Sequence, residues 1–269
     1  MRQRKPVRAV LDLVEQQEVD VGNTQTHIGM FSDGALVEHW RFATVRESTS
    51  DELATVLVGL LELRGLTLKD IDGAIVSSVV PQLVHEYDGV SKRYLNDVVK
   101  IVGPGLKSGI PIRTENPHEV GADRLVNAVA AYDHVGAACI VVDFGTAITY
   151  DVVSAEGELL GAIISPGVEI SMEALSERAA RLPKVELEEP KELIGRSTQA
   201  SIQSGVIYGF AGQVDGIVSR LRQELGVEAT TIATGGLATS IAPFCEEIDE
   251  IDDLLTLTGL RLLWERNQD

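Results

Sequence analysis

Residues 141–153 read VVDFGTAITYDVV, and this stretch decides the fold class. The uninterrupted apolar run at 138–142 predicts a buried strand, and residues 148–153 predict its neighbour in the same sheet. Between them lies an Asp-x-Gly-Thr turn at residues 143–146. Because strand-like and helix-like runs alternate through the rest of the chain, the sequence predicts an α/β protein.

A related motif, DVGNT, stands at residues 20–24, nearly half a chain earlier. Each copy of the Asp-x-Gly motif is followed by a β-rich stretch, so the two copies form a weak internal repeat. The simplest interpretation is two similar halves with a cleft between them. We place the N-terminal half at residues 1–117 and the C-terminal half at residues 118–269.

Both motifs have the chemistry of a phosphate site at the end of a strand. Glycine lets the backbone turn sharply and bring N–H groups close to an anion, and the Thr hydroxyl can donate to a phosphate oxygen. A carboxylate such as Asp20 is repelled by phosphate, so it would act through a Mg²⁺ ion that keeps its waters. An ordinary hairpin with Asp and Gly as turn formers is the alternative. Two copies at this spacing favour the phosphate site.

The segment GADR, residues 121–124, stands where a helix is predicted to begin. The helix dipole would hold Asp123 ionised, and an ionised carboxylate there can take a proton from a substrate hydroxyl. Arg124 beside it can clamp a carboxylate or a phosphate. The alternative is a first-turn aspartate that only stabilises the helix.

Three further segments place small or polar residues beside predicted helices. SPG at 165–167 and TGGLA at 234–238 each follow a strand, and the paired glycines of the second would let a nucleotide base lie against the backbone. The polar segment at 197–205 could bring Thr198 to a ligand or pack closely against a partner subunit. Plain strand-to-helix turns and ordinary helix packing are the alternatives.

The composition excludes several classes of protein. The chain has 269 residues, a formal net charge of −18 and a pI near 4.6, which argues against binding to nucleic acid. At 44% hydrophobic residues it is too apolar for a disordered acidic chain. Neither a secretory signal nor an apolar run long enough for a membrane span is found. Two cysteines, Cys139 and Cys245, cannot build a disulfide framework, so we expect a cytoplasmic protein with reduced thiols.

Taken in order, several segments of the chain resemble type III pantothenate kinases. They are DVGNTQTHIGMF, ENPHEVGADRLVNAVAAY, VVDFGTAITYDVV, GAIISPGV, LPKVEL, STQASIQSGVIYG, ATGGLA and LLTLTGLRLLWERN. Together they span the chain from about Val19 to Asn267, and the ordered set is far more specific than any single piece. The resemblance implies ATP-dependent phosphorylation of pantothenate to 4′-phosphopantothenate, the first step of coenzyme A biosynthesis.

This family belongs to the acetate and sugar kinase, heat-shock ATPase and actin superfamily. The resemblance therefore implies two ribonuclease-H-like halves with ATP in the central cleft. The two Asp-x-Gly motifs would be the first and second phosphate motifs, and residues 234–238 would be the adenosine motif. A homodimer is also implied.

The resemblance implies roles for individual residues. Asp123 would be the base that activates the pantothenate hydroxyl. Asp20 would hold Mg²⁺ through water, and Asp143 would lie beside a monovalent cation, K⁺ or NH₄⁺. The expected ATP and phosphate positions are Asp20, Gly22, Asn23, Thr24, Thr146, Gly235 and Gly236. The expected pantothenate positions are Gly121, Arg124, Gly167 and, from across the dimer interface, Thr198.

One departure from the family pattern lies just before the first motif. Family members have a short, very apolar strand there, whereas this chain has EQQE at residues 15–18. Since a central strand buried on both faces is expected to be continuously hydrophobic, either the N-terminus is repacked or the first strand is compromised. A nucleotide-binding regulator without turnover is therefore one alternative function. A kinase for another small hydroxyl acceptor, such as a sugar or acetate, is the other.

Overall fold

The computed structural model describes residues 16–268, which form two five-stranded sheets with accompanying helices. The first sheet contains β1 (Gln16–Val21), β2 (Gln25–Ser32), β3 (Ala35–Ala43), β4 (Ala74–Ser78) and β5 (Val99–Ile101). The second contains β6 (Cys139–Phe144), β7 (Ala147–Val153), β8 (Leu159–Pro166), β9 (Thr230–Thr234) and β10 (Glu250–Ile251). The α-helices are α1 (Ser50–Glu62), α2 (Pro81–Tyr94), α3 (Ala122–Val135), α4 (Val168–Arg178), α5 (Thr198–Leu225), α6 (Ala238–Ile241) and α7 (Leu255–Arg266). Short 3₁₀ helices span Leu68–Asp70, Pro117–Glu119 and Ala242–Phe244.

The two sheets repeat one topology. In the first, β1 is antiparallel to β2, β2 is antiparallel to β3, and β4 and β5 follow in parallel on the other side of β1. The second sheet has the same arrangement, with β6 in the place of β1 and the strand order β8-β7-β6-β9-β10. The α/β class and the ribonuclease-H-like halves that the sequence predicts are therefore confirmed. No helix within residues 16–268 is both long and apolar enough to cross a membrane.

The chain divides into two compact units. The first comprises the described residues up to Ser108, Gly121–Val126 and the chain from Thr256 onward. The second comprises Gly109–Val120 and Asn127–Leu255. We placed the boundary between the two halves after residue 117. In the structure this position lies within Gly109–Val120, a segment that belongs to the second unit.

The core of the first unit lies between one face of its sheet and the helices α1 and α2. Val19 and Val21 of β1 pack with the apolar side chains of both helices. Since side chains alternate between the two faces of a strand, Glu18 and Asp20 point to the opposite face of the sheet. The core packing of β1 thereby fixes the direction of Asp20.

Strand β1 is a complete central strand in spite of its polar sequence. Gln17 is 2% exposed and Glu18 is 0% exposed, while Glu15 lies outside the described residues. Burial raises the pKa of Glu18 to about 10, against the opposing charge of Arg261. Glu18 is therefore protonated near neutral pH, and the strand buries a neutral acid instead of a charge.

Helix α7 covers the other face of the first sheet. A Cβ on Gly29 of β2 would stand 3.0 Å from a methyl carbon of Leu257, and any side chain on Gly73 would collide with the indole ring of Trp264. Glycine at these two positions allows the helix to approach the sheet closely. From Thr256 onward, α7 belongs to the first unit.

The core of the second unit lies between its sheet and α5. Val142 of β6 and Val214 of α5 belong to one buried cluster. Helix α5 begins at Ser197, whose hydroxyl oxygen accepts a hydrogen bond from the Ala200 N–H at 3.2 Å. It ends at Gly226, which has a φ of 66° and closes the helix in the left-handed conformation. Helix α5 is thus capped at both ends.

Candidate active site

The loop between β1 and β2, residues 22–24, is a tight turn at the carboxyl end of β1. The Gly22 N–H donates to the Gln25 carbonyl at 3.0 Å, and a Cβ on Gly22 would stand 2.9 Å from that same oxygen. This close approach favours glycine, as the motif predicts. Asn23 and Thr24 are exposed, so their polar groups are accessible to a ligand.

Asp20 lies in a row of polar side chains that crosses the first sheet. Its neighbours in register are His27 on β2 and Ser77 on β4, and both share its face. Ser77 is fully buried, and its hydroxyl has no hydrogen-bond partner among the described residues. The Nε2 atom of His27 lies 3.1 Å from Nδ1 of His39. A buried hydroxyl without a partner beside a carboxylate fits a site that a ligand or water completes.

Asp123 occupies the first turn of α3, within the first unit. Its Oδ1 accepts a hydrogen bond from the Arg124 backbone N–H at 2.8 Å, and a Cβ on Gly121 would contact this same oxygen. Burial raises the pKa of Asp123, and the hydrogen bond and charge of Arg124 oppose the change. The expectation that the helix dipole holds Asp123 ionised stays a prediction. The raised pKa makes the ionised carboxylate a stronger base.

Asp143 is the counterpart of Asp20 in the second unit, since each is the penultimate residue of the equivalent strand. Its Oδ2 accepts a hydrogen bond from Nδ2 of Asn127 at 3.1 Å. Asn127 is fully buried on α3, so its amide holds the carboxylate in one orientation. The carboxylate of Asp143 is thus held in a fixed orientation at the end of β6.

The turn that follows Asp143 is backed by Gly167. The Gly167 N–H donates to the Thr146 carbonyl at 3.1 Å, and a Cβ on Gly167 would collide with the carbonyl oxygens of Gly145 and Thr146. Gly167 is also the N-cap of α4. The structure therefore brings the predicted SPG segment directly onto the second Asp-x-Gly motif.

Gly235 closes the other side of this site. It has a φ of 93°, and a Cβ there would collide with Oδ1 of Asp143 and stand 2.7 Å from the Phe144 N. Gly236, the next residue, has no atom within 4 Å of the position of a Cβ. The positive φ and the close contacts at residue 235 require glycine, whereas a side chain at residue 236 would meet open space next to the end of β9.

Thr198 lies elsewhere in the second unit, in a cavity of about 860 Å³ between α4 and α5. The cavity is lined by both polar and apolar side chains, among them Met172, Leu175, Arg196, Thr198, Ser201 and Phe210. None of the residues that line it belongs to either Asp-x-Gly motif. Asp143, Thr146, Gly167 and Gly235 are thus brought together, while Thr198 contributes to a different pocket.

Sequence reasoning missed Asn127. This asparagine lies among Val126, Ala128 and Val129, which are all buried on α3. A polar residue within a run of buried apolar positions needs a partner, because an unpaired buried amide is costly. That signal is present in the sequence, although it does not identify Asp143 as the partner.

Comparison with known proteins decides the family. The sequence profile described as Type III pantothenate kinase matches residues 18–220. A type III pantothenate kinase from Moorella thermoacetica is 49% identical over 249 residues, which cover 93% of this chain and 98% of the relative. The chain belongs to the type III pantothenate kinase family. A second member, from Streptomyces avermitilis, is 51% identical over 257 residues, covering 93% of this chain and 97% of the relative.

Solved structures of sugar kinase relatives share the fold of this chain. A candidate 2-dehydro-3-deoxygalactonokinase from Sinorhizobium meliloti aligns with a TM-score of 0.56 at 12% identity, over 94% of this chain and 97% of that one. A candidate N-acetylglucosamine kinase from Porphyromonas gingivalis aligns with a TM-score of 0.53 at 12% identity, over 94% and 99%. At such identities the likeness establishes the fold alone, and it agrees with the repeated sheet topology.

Proposed function

We propose that this protein transfers the γ-phosphoryl group of ATP to the primary hydroxyl of pantothenate, forming 4′-phosphopantothenate at the start of coenzyme A biosynthesis. The observation that carries the assignment is the carboxylate of Asp123 in the first turn of α3, in a chain of the type III pantothenate kinase family. Positioning and electrostatic stabilisation supply most of the catalysis in phosphoryl transfer.

Asp123 is the base in this proposal. Because its pKa is raised by burial, the ionised carboxylate accepts a proton more readily than an ordinary aspartate. It would take the proton of the pantothenate hydroxyl as the oxygen attacks phosphorus. Arg124, the next residue, would bind the pantothenate carboxylate, since a guanidinium offers a planar pair of donors to a carboxylate. Gly121 leaves room for this arrangement.

The turn at Gly22, Asn23 and Thr24 would bind the ATP phosphates. Its glycine is required by the close approach of Gln25, and its two polar residues are exposed. Asp20 offers the single carboxylate that a Mg²⁺ ion needs when it keeps its waters and binds the phosphates. Bound Mg²⁺ neutralises phosphate charge in such enzymes. The buried Ser77 hydroxyl on the same face fits a hydrated ligand there.

The second Asp-x-Gly motif fits a monovalent cation. The Asp143 carboxylate is fixed by Asn127, and the carbonyls of Gly145 and Thr146 lie at the adjacent turn. Several oxygen ligands of this kind suit K⁺ or NH₄⁺. We assign this role to Asp143, and we assign Thr146 to the phosphates.

The remaining predicted site residues would contact the adenosine group of ATP or the pantothenate molecule. Gly235 and Gly236 would border the adenosine, since the second glycine leaves open space beside its backbone. Gly167 would border pantothenate at the end of β8. Thr198 would reach pantothenate in a partner subunit, since none of the residues that line its cavity belongs to either Asp-x-Gly motif.

A homodimer is part of the proposal. The edge strand β8 exposes Leu160 by 37%, Ile163 by 37% and Ile164 by 63%, and α4 adds Ile170 and Leu175 at 39% each. Neighbouring exposed apolar side chains of this size are typical of interaction surfaces. In a two-fold dimer this surface would pair with its own copy.

The dimer is tested by light scattering on the eluting protein. Ile164→Glu should shift the mass from dimer to monomer, while Leu63→Glu, at a residue that is 73% exposed in the first unit, should leave the dimer intact. A wild-type monomer at micromolar concentration would contradict the dimer.

If residues 15–19 were exposed to solvent, the alternative function of a nucleotide-binding regulator without turnover would be favoured. Residues 17–19 are instead buried within β1, so the strand that carries Asp20 is in place. The alternative of a sugar or acetate acceptor is decided by assay.

The test is product formation by the purified chain with ATP, Mg²⁺ and K⁺, followed by mass spectrometry. Pantothenate should give the phosphorylated product, and sugars or acetate should give none. Replacement of K⁺ by Na⁺ should lower the rate strongly, and equal turnover in sodium would remove the cation role from Asp143. Bound ATP without any product would support the regulator instead.

A further inference from the structure

The connection between β3 and α1 lies against the turn at residues 22–24. The Thr44 N–H donates to the Thr24 carbonyl at 2.9 Å, and the hydroxyls of Thr44 and Thr26 are hydrogen-bonded at 2.9 Å. Two residues later, Nη2 of Arg46 donates to Oδ1 of Asn23 at 3.2 Å. Three hydrogen bonds therefore hold this connection beside the first Asp-x-Gly motif.

Arg46 differs from other arginines of the first unit in its partner. Arg64 pairs with Glu38, and Arg93 pairs with Asp51. Arg46 instead donates to a neutral amide oxygen, and its side chain is exposed. Within residues 16–268, no carboxylate forms an ion pair with it. A guanidinium has five N–H donors, so donors remain for a ligand at the turn.

The charge balance of the protein makes such a cation important. The chain carries a formal net charge of −18, and the motif itself contributes the carboxylate of Asp20. An anionic nucleotide that approaches the turn therefore needs positive charge nearby. Arginine matches phosphate oxygens with two parallel hydrogen bonds, and these charge-assisted bonds are stronger than neutral ones.

We propose that Arg46 binds the phosphate groups of the nucleotide, so that the β3–α1 connection forms part of the ATP site. This inference rests on the proposed function in one respect, namely that the turn at residues 22–24 is a phosphate site. Asn23 holds the guanidinium beside the turn before the nucleotide arrives. The sequence gives no sign of this role, because Arg46 lies outside the motif.

The test compares ATP with adenosine, which lacks phosphates, by calorimetric titration of the full chain in Mg²⁺ and K⁺. Arg46→Gln should weaken ATP binding about 10- to 100-fold and leave adenosine binding unchanged. Arg46→Lys should recover part of the loss, since it restores charge without the planar fork. Arg93→Gln removes one positive charge from the same unit and should change neither affinity.

Each other outcome contradicts the assignment. Equal ATP affinity in Arg46→Gln and wild type would show that Arg46 does not bind phosphate. Equal loss for ATP and adenosine would show that it only shapes the loop. If the wild type binds ATP no better than adenosine, the phosphate site itself is wrong and this role is wrong with it. Because binding is measured without pantothenate, a failure of the kinase assay remains a separate result.

Discussion

Nδ2 of Asn127 donates to Oδ2 of Asp143 at 3.1 Å, and Asn127 is fully buried. Asp143 belongs to the second Asp-x-Gly motif, whereas Asn127 lies outside both motifs. The buried amide fixes the carboxylate at the end of β6, where we propose that the monovalent cation binds. The arrangement predicts linked effects on stability and on cation activation.

We expect Asn127→Ala to lower the free energy of unfolding by about 1–3 kcal/mol, because it removes a buried hydrogen bond to a carboxylate. It should also raise the K⁺ concentration needed for half-maximal activity. Urea unfolding and a K⁺ titration of the rate measure the two effects. Asn116→Ala removes an exposed hydrogen bond to Glu119 and should change stability by about 0.5 kcal/mol or less. Equal effects of the two variants would contradict the role of Asn127.

The adjacent glycines at 235 and 236 predict opposite results on stability. Gly235→Ala forces a Cβ against Asp143 at a φ of 93°, and should cost about 1–3 kcal/mol of unfolding free energy. Gly236→Ala meets open space and should be neutral or slightly stabilising. Urea unfolding of the two variants is a matched comparison. A stable Gly235→Ala protein would mean that the close contact with Asp143 is absent.

Buried Glu18 predicts that stability depends on pH in a definite direction. Its pKa is raised from 4.5 to about 10 in the folded protein, so above pH 4.5 the unfolded chain releases a proton that the folded chain keeps. This group therefore lowers the free energy of unfolding as pH rises from about 4.5 to about 10, by up to about 1.4 kcal/mol per pH unit. Below pH 4.5 both states are protonated and the effect disappears.

Glu18→Gln keeps the shape without the ionisation. We expect the stability of this variant relative to wild type to grow between pH 6 and pH 9, as measured by urea unfolding without Mg²⁺. Glu62→Gln, on the exposed end of α1, is the control and should show no such trend. A constant difference over this range would mean that Glu18 is ionised or hydrated in the fold.

The overall fold could be predicted from the sequence because its signals are local. The Asp-x-Gly repeat indicated two equivalent halves, and the sheets repeat one topology. The Thr-x-x-Glu spacing of Thr49 and Glu52 is typical of a capping box, and the box is present at the start of α1. Such features depend on spacing within a few residues, so they can be predicted without knowledge of tertiary contacts.

What the sequence left open depends on tertiary packing. The polar run before Asp20 raised doubt about the first strand, yet Glu18 is buried as a neutral acid and the strand forms. The burial that raises the pKa of Asp123 depends on tertiary packing and cannot be read from one segment. Arg46 and Asn127 reach their partners across 23 and 16 positions of chain, which no local motif records.

The central claim is that Asp123 removes the proton from the pantothenate hydroxyl, and Asp123→Asn tests it most directly. The asparagine keeps the size and most hydrogen bonds of the side chain but cannot accept the proton. Glu119→Gln, an exposed change four residues away, is the control and should keep the wild-type rate. With ATP, Mg²⁺, K⁺ and pantothenate, we predict that Asp123→Asn loses turnover by about 100-fold or more while it binds ATP as tightly as wild type. Full turnover in Asp123→Asn would contradict the account.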